Sequence, residues 1–367
     1  MLSPVFREKG AFLVCDMQTN VLYYTGIRKW AGVRRMAGWN SKAGELQYIP
    51  LNDDKLWVVF NFVFSDACSK RNTYKFGLVK SILDNLLNCT IVNDEFVLYH
   101  HDIFTKFTEN YWNLTLKYHL RQMRPDGKSQ YSRVEQILIQ SKDDFSIPDE
   151  VPFDLLDNTL KEIITAKVQK DCKKYVIGAL YEDFEGYVYG FDLKKDYITL
   201  HPVAYQFMMK YKMELEKLNY YAWAKFLEKI NDDNVLIRLI DKLELAIPQR
   251  QNLDVYRNVL YKEFEEQYCF YCGKKLTGSS HVDHFIPWSF VKEDRLWNFV
   301  LSCPTCNTRK NNKLPSHDMV NKLEQRNDKV ILLSDFSKKQ FENYTPTIIS
   351  DLWQYAHYAG FKEFKVK

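Results

Sequence analysis

The sequence predicts an α+β protein, mainly α-helical, that carries a small metal-stapled module near its C-terminus. Three observations predict it. Glycine (13) and proline (11) are sparse in 367 residues, about half the usual share, which favours long helices and short connections. Apolar residues recur at three- and four-residue spacing, as at Tyr74, Leu78, Ile82 and Leu86, the mark of an amphipathic helix. Four of the eight cysteines stand as two Cys-x-x-Cys pairs, Cys269/Cys272 and Cys303/Cys306, a pattern that suits one tetrahedral Zn²⁺.

Composition narrows the function classes. The net charge is only +4, so any nucleic-acid surface must be local rather than spread over the chain. No secretory signal and no apolar run of membrane-spanning length stands out. The other cysteines, Cys15, Cys68, Cys89 and Cys172, are scattered, as expected of reduced core residues. A cytoplasmic location follows as the expectation.

Taken in order, residues 1–50 hold an apolar run (AFLVCDM) and then a basic-aromatic one with Arg28, Lys29, Trp30, Arg34, Arg35 and Trp39, read as an amphipathic helix or a nucleic-acid surface. Two helices are expected over 51–90, with Asp53/Asp54 opening the first. The basic link between them carries Lys70, Arg71 and Lys75. A strand-like EFVLYHH precedes a helix from about Ile103 to Arg121. His100, His101 and Asp102 sit together there, but no second ligand cluster stands near them in the sequence. Lys117, Arg121, Arg124, Lys128 and Arg133 flank a Pro-Asp-Gly turn and form a candidate second nucleic-acid contact. The polar, proline-bearing stretch 141–153 reads as a boundary. Beyond it come a helix over 154–173, a hairpin from GYVYGFD and DYITLHP, one long helix over 202–230, and helices near 232–246 and 253–267. Helices over 316–335 and 344–359 complete the reading. The expected domains are 1–145 and 146–262, both mainly helical, then 263–336 with the zinc, and a helical segment 337–367 packing on it.

The chemistry is concentrated between Cys269 and Lys313. Four thiolates wrapping one zinc leave no open coordination position, so the metal is expected to be structural. The 30 residues between the cysteine pairs exceed the span of common zinc ribbons and carry the polar residues. Asp283 and His284 lie in a short strand-like run (HVDHFI). Neighbours on a regular strand face opposite ways, so both address one phosphate only where the strand ends, and Pro287 makes an end there. A second apolar run, LWNFVLS, carries Asn298 and is expected to pair with the first. Asn307 opens a polar, basic segment that suits a helix start near phosphates. Seven Lys/Arg against three Asp/Glu make this stretch locally positive.

These residues resemble the HNH endonucleases, nucleases of the ββα-metal fold, in their zinc-stabilised form. The match rests on Asp283-His284, Asn298 and Asn307 within Cys-Pro-Thr-Cys-Asn-Thr-Arg-Lys, and covers about residues 266–316. The family's third signature position, often histidine, is Asn307 here, and Trp288 and Phe290 stand where glycines are common. The resemblance implies metal-dependent cleavage of DNA, with His284 as general base. Asp283 and Asn307 would hold Mg²⁺ or Mn²⁺, and Asn298 would tie down the loop that orients the base. Arg309, Lys310, Lys313 and His281 are candidate phosphate contacts. It also implies bacterial restriction or anti-phage defence, with activity gated by a protein partner or by oligomerisation. The alternatives are a homing-type endonuclease and a zinc-dependent subunit that binds nucleic acid without cutting it.

Overall fold

The computed structural model describes residues 41–93, 95–125, 127, 129–244, 253–263, 266–277 and 280–366, together with the backbone of three strands between residues 4 and 24. Those strands, β1 (Pro4–Glu8), β2 (Ala11–Asp16) and β3 (Val21–Tyr24), form an antiparallel meander within a first unit, residues 1–37. The AFLVCDM run falls on β2. Most of the basic-aromatic run after it, residues 25–40, lies outside the described residues.

Residues 38–367 make the second unit. After the two-residue strand β4 (Ala43–Gly44) comes α1 (Asp53–Phe64), started by Asn52, whose Oδ1 accepts from the Lys55 amide at 3.0 Å. It buries Leu56, Val59, Phe60 and Val63 along one stripe. Next is α2 (Tyr74–Asp84). Its Gly77 admits the Tyr111 ring: a Cβ there would lie 2.5 Å from that ring, so any larger residue would push the next helix away. Strands β5 (Thr90–Val92) and β6 (Glu95–Tyr99) lead into α3 (His100–Trp112). The long helix expected to reach Arg121 stops at Trp112, and a wide π-turn, residues 113–117, follows. There the Asn113 Oδ1 accepts from the Phe153 amide at 3.1 Å.

Helices α4 (Arg133–Asp144) and α5 (Asn158–Tyr181) follow, then strands β7 (Tyr189–Asp192) and β8 (Tyr197–Leu200) as the expected antiparallel hairpin. The single helix read over 202–230 is two, α6 (Pro202–Lys210) and α7 (Lys212–Glu228). The break turns Tyr211 to Asp53, its hydroxyl donating to Oδ2 at 2.8 Å. Short helices α8 (Asp233–Leu236) and α9 (Leu239–Glu244) precede α10 (Asp254–Tyr261).

The sheet has the order β4-β7-β8-β6-β5, so it draws strands from both sides of the expected 145/146 division. The stretch read as a boundary is packed rather than free. Phe153 is buried, and the Trp112 indole N–H donates to the Val151 carbonyl at 2.9 Å. Its two prolines had suggested a linker, but they shape a loop pinned beneath α3. No helix among the described residues is long and apolar enough to cross a membrane.

The C-terminal part begins with a turn at 269–273 and continues through β9 (His281–His284), α11 (Trp288–Val291), a 3₁₀ turn at 296–298, β10 (Phe299–Ser302) and α12 (Pro304–Lys310). Strand β11 (Leu314–Pro315), helices α13 (Asp318–Val330), α14 (Asp335–Gln340) and α15 (Ile348–Tyr358), and strand β12 (Glu363–Phe364) close it. Asn327 of α13 donates to the Trp297 carbonyl at 3.0 Å, and β12 pairs in parallel with β11. The last segments therefore fold back on the module.

Candidate active site and metal centre

The four cysteines converge. Their sulfur atoms all lie within 4.8 Å of one another, and Cys272 Sγ is 3.9 Å from Cys303 Sγ. A tetrahedron with metal–sulfur bonds of about 2.3 Å has edges of about 3.8 Å, so these side chains fit a zinc ion. Two turns present them. Gly273, at φ +68°, closes the first, with its amide donating to the Cys269 carbonyl at 2.9 Å. Cys303 caps the second, its sulfur accepting from the Cys306 amide at 3.4 Å, and Pro304 starts α12. The Phe270 amide donates to the Leu301 carbonyl at 2.9 Å, so the first turn is tied to β10. Burial, reinforced by the neighbouring thiols, pushes the Cys306 thiol up, and a cation at the centre would offset both.

Strands β9 and β10 pair antiparallel, with His284 opposite Phe299 and Asp283 opposite Val300. With α12 they make a two-strand-and-helix module. Strand β9 ends at His284, and there Asp283 and His284 line one cavity of about 530 Å³ together with His281, Trp288, Asn307 and Lys310. All four residues of β9, with Pro287 just beyond them, border this cavity.

A family model described as HNH endonuclease matches residues 269–313. This segment is an HNH module. Comparison with curated proteins and with solved structures gives no match. The family acts on nucleic acids and uses metal ions, and the cysteine cluster of this HNH module is of the kind that holds zinc.

Asn298 is fully buried. Its Oδ1 accepts from the Ile286 amide at 2.8 Å, and its Nδ2 donates to the Ile286 carbonyl at 3.0 Å. The side chain thus mimics a strand neighbour and pins the residues just after His284. Asn298→Ala is expected to strand two buried backbone groups, at about 1–3 kcal/mol each, and to lower the thermal midpoint accordingly. A midpoint equal to wild type would show that water replaces the asparagine.

Two side chains not foreseen from the sequence complete the site. The His284 Nε2 lies 2.8 Å from Asp294 Oδ1, with both side chains nearly buried, and Phe299 meets the imidazole edge-on at 4.6 Å. An ionised carboxylate only accepts hydrogen bonds. Asp294 therefore keeps the proton of a neutral imidazole on Nε2 and leaves Nδ1 with the free lone pair. Tyr271, inside the first Cys-x-x-Cys pair, donates to Asp283 Oδ2 at 2.6 Å. Burial, then the charge of Asp283, raises its pKa well above the usual value, so it remains a donor. Nothing in the sequence separated Asp294 from Glu293 next to it, and Tyr271 read as ordinary filling between cysteines.

Lys310 differs from the expectation of a surface phosphate contact. Its side chain has no exposed area. The ammonium donates to the His284 carbonyl at 2.7 Å and lies 3.2 Å from Asp283 Oδ2. Burial lowers its pKa, against the pull of Asp283. On a seven-residue helix, Lys310 falls on the face turned to β9, a direction that a run of basic residues does not reveal. Lys310→Met is expected to lower stability by about 1–3 kcal/mol and to leave the salt dependence of nucleic-acid binding unchanged. A lysine facing a phosphate would instead change that slope by about one when removed.

Arg309 donates to the Lys365 carbonyl at 3.3 Å and lies over the Phe364 ring, while Lys313 donates to the Arg309 carbonyl at 3.1 Å. Neither lines the cavity. His281 is exposed on β9 and does line it.

The run His100, His101 and Asp102 forms no metal cluster among the described residues. His100 is buried with no hydrogen-bond partner at either nitrogen, and burial pushes its pKa down to about 4. His101 lies near Glu162, and the four-cysteine group is the sole candidate metal cluster among the described residues. Lys75 pairs with Asp183 at 2.7 Å, and Lys70 donates to the Ser65 carbonyl at 2.8 Å. Arg133 pairs with Asp171, and Lys128 lies outside the described residues.

Proposed function

We propose that this protein is a metal-dependent endonuclease that hydrolyses phosphodiester bonds of DNA. The observation that carries the reading is the meeting of Asp283, His284 and Asn307 on one cavity, with Asp294 bonded to His284. His284 takes the proton of the attacking water at Nδ1, the nitrogen that Asp294 leaves free. Asn298 positions the backbone that follows it. The Asp283 carboxylate and the Asn307 amide are hard oxygen donors and would hold Mg²⁺ or Mn²⁺. Tyr271 and Lys310 engage the same carboxylate oxygen of Asp283, so the other oxygen is the one suited to a metal. When bound, the ion supplies Lewis-acid stabilisation of the phosphate and the leaving oxygen.

One such site cuts one strand, so a monomer nicks and a paired assembly breaks both strands. Zinc holds the module together without touching substrate. Residues 1–262 select the target or a partner or hold the nuclease inactive, and defence against foreign DNA is the setting that the family resemblance favours. A module that only binds nucleic acid has no use for a carboxylate-backed histidine.

The test is conversion of supercoiled plasmid to nicked or linear form by zinc-loaded protein with Mg²⁺ or Mn²⁺, set against EDTA. Metal-dependent conversion supports the reading. Binding without cleavage, under every metal and with candidate partners added, would turn it to the binding-only alternative.

A further inference from the structure

Asp294 does not hold itself in place. It sits in a loop, residues 292–295, between α11 and the 3₁₀ turn that carries Asn298. The loop begins at Lys292, which adopts the left-handed conformation at φ +58°, costly for a side chain with a Cβ. Its anchors come from the helical body, outside the residues that match the family. Lys292 Nζ donates to Glu216 Oε2 of α7 at 2.6 Å. Behind it, the buried Lys80 of α2 lies 3.7 Å from the other oxygen of Glu216 and pairs with Asp84. Lys212, also on α7, donates to the Val291 carbonyl at 3.3 Å. Arg295 reaches Asn88, just beyond α2, and pairs with Glu293. The loop is thus gripped before Asp294 by two side chains of α7 and after it by Asn88.

A buried ion pair rarely adds net stability, because the desolvation of both charges cancels most of the attraction. What it fixes is position. Burial works against the charge on Lys80, and Asp84, Tyr220 and Glu216 more than restore it, so its pKa is raised. Lys80 thus keeps a positive charge behind Glu216, while the directional contact to the loop is the Lys292–Glu216 hydrogen bond.

We propose that Glu216 is a positioning residue for the nuclease reaction, acting through Lys292 to hold Asp294 on His284, so that the helical body completes the active site of the HNH module. The inference rests on the nuclease reading above. A displacement of about 1 Å at a catalytic contact costs on the order of 100-fold in rate, so a loosened loop has a measurable signature.

The test uses the full, zinc-loaded chain and two readouts. In proton NMR, the His284 imidazole N–H, assigned by its absence in His284→Ala, is expected to exchange slowly in wild type. In Glu216→Gln it should exchange about 10-fold faster or more, as the Asp294 contact opens more often. In single-turnover cleavage of a labelled duplex with Mn²⁺, Glu216→Gln should lower the maximal rate by about 10- to 100-fold, with half-saturation little changed. In an Asp294→Asn background the same substitution should add less than about 2-fold, because both act on one contact. Zinc content and cooperative unfolding establish that each variant folds. If Glu216→Gln does not fold, Lys292→Met at the rim of the pair replaces it.

A folded variant with wild-type imidazole exchange and wild-type rate would overturn the proposal. So would a loss that multiplies in full with that of Asp294→Asn, or a change in half-saturation alone. If the wild-type protein cleaves nothing under every metal and with candidate partners added, the nuclease reading fails by itself, and the exchange measurement still decides whether Glu216 holds Asp294.

Discussion

Replacing His284 by alanine is expected to lower metal-dependent plasmid cleavage by about 10²- to 10⁴-fold, the usual contribution of a positioned general base, with zinc still bound. The imidazole is nearly buried between Asp294 and Phe299, so no water or buffer base easily takes its place. Asp294→Asn should cost less, because the base remains and only its orientation changes. An asparagine amide, however, donates to Nε2 as readily as it accepts. It favours the tautomer with the proton on Nδ1, the wrong nitrogen for a base. Two measurements carry the argument: initial rates for wild type and both variants, and zinc per chain for each. Equal rates for wild type and His284→Ala would remove His284 from the mechanism. A larger loss for Asp294→Asn than for His284→Ala would mean that the carboxylate acts directly rather than through the histidine.

Removing a zinc ion held by the four cysteines is expected to be the second large effect. Apparent binding free energies of structural zinc in small modules reach about 10–16 kcal/mol, as large as the stability of a whole domain. Here the metal would join the turn at Cys269–Cys272 to the start of α12, which has only seven residues and no stability of its own at that length. Cys303→Ser, or stripping with a chelator, should therefore release α12, and with it Asn307 and the Lys310 ammonium that braces Asp283. Cleavage should fall to background and stay there when Mn²⁺ is added in excess. Limited proteolysis should open sites between residues 266 and 316. Far-UV circular dichroism should change little, because most of the helix lies outside the module. Retention of cleavage by a zinc-free protein would show that packing against α13 and α15 holds the module without the metal.

How much of this was legible in the sequence depended on the range of the forces involved. The cysteine pairs, the Asp-His run and the two asparagines could be read because their chemistry is local. A Cys-x-x-Cys turn closes on itself, and a strand that meets a proline ends nearby. The hairpin at β7 and β8 was equally plain from its alternation. Helix ends were less so. The breaks at Trp112 and Tyr211 occur where Asn113 and Tyr211 engage residues 40 and 158 positions away, and no local pattern records such partners.

The sequence by itself determined the module, the cysteines that could hold a metal and the residues expected to carry its chemistry, since those follow from side-chain type at short spacing. Only the tertiary structure decided which lysine is buried, that Asp294 rather than Glu293 meets His284, and that α7 and Asn88 hold the loop that carries it. These depend on which way a helix face turns and on what a distant helix brings up against it. Packing sets both, and packing is a property of the whole chain.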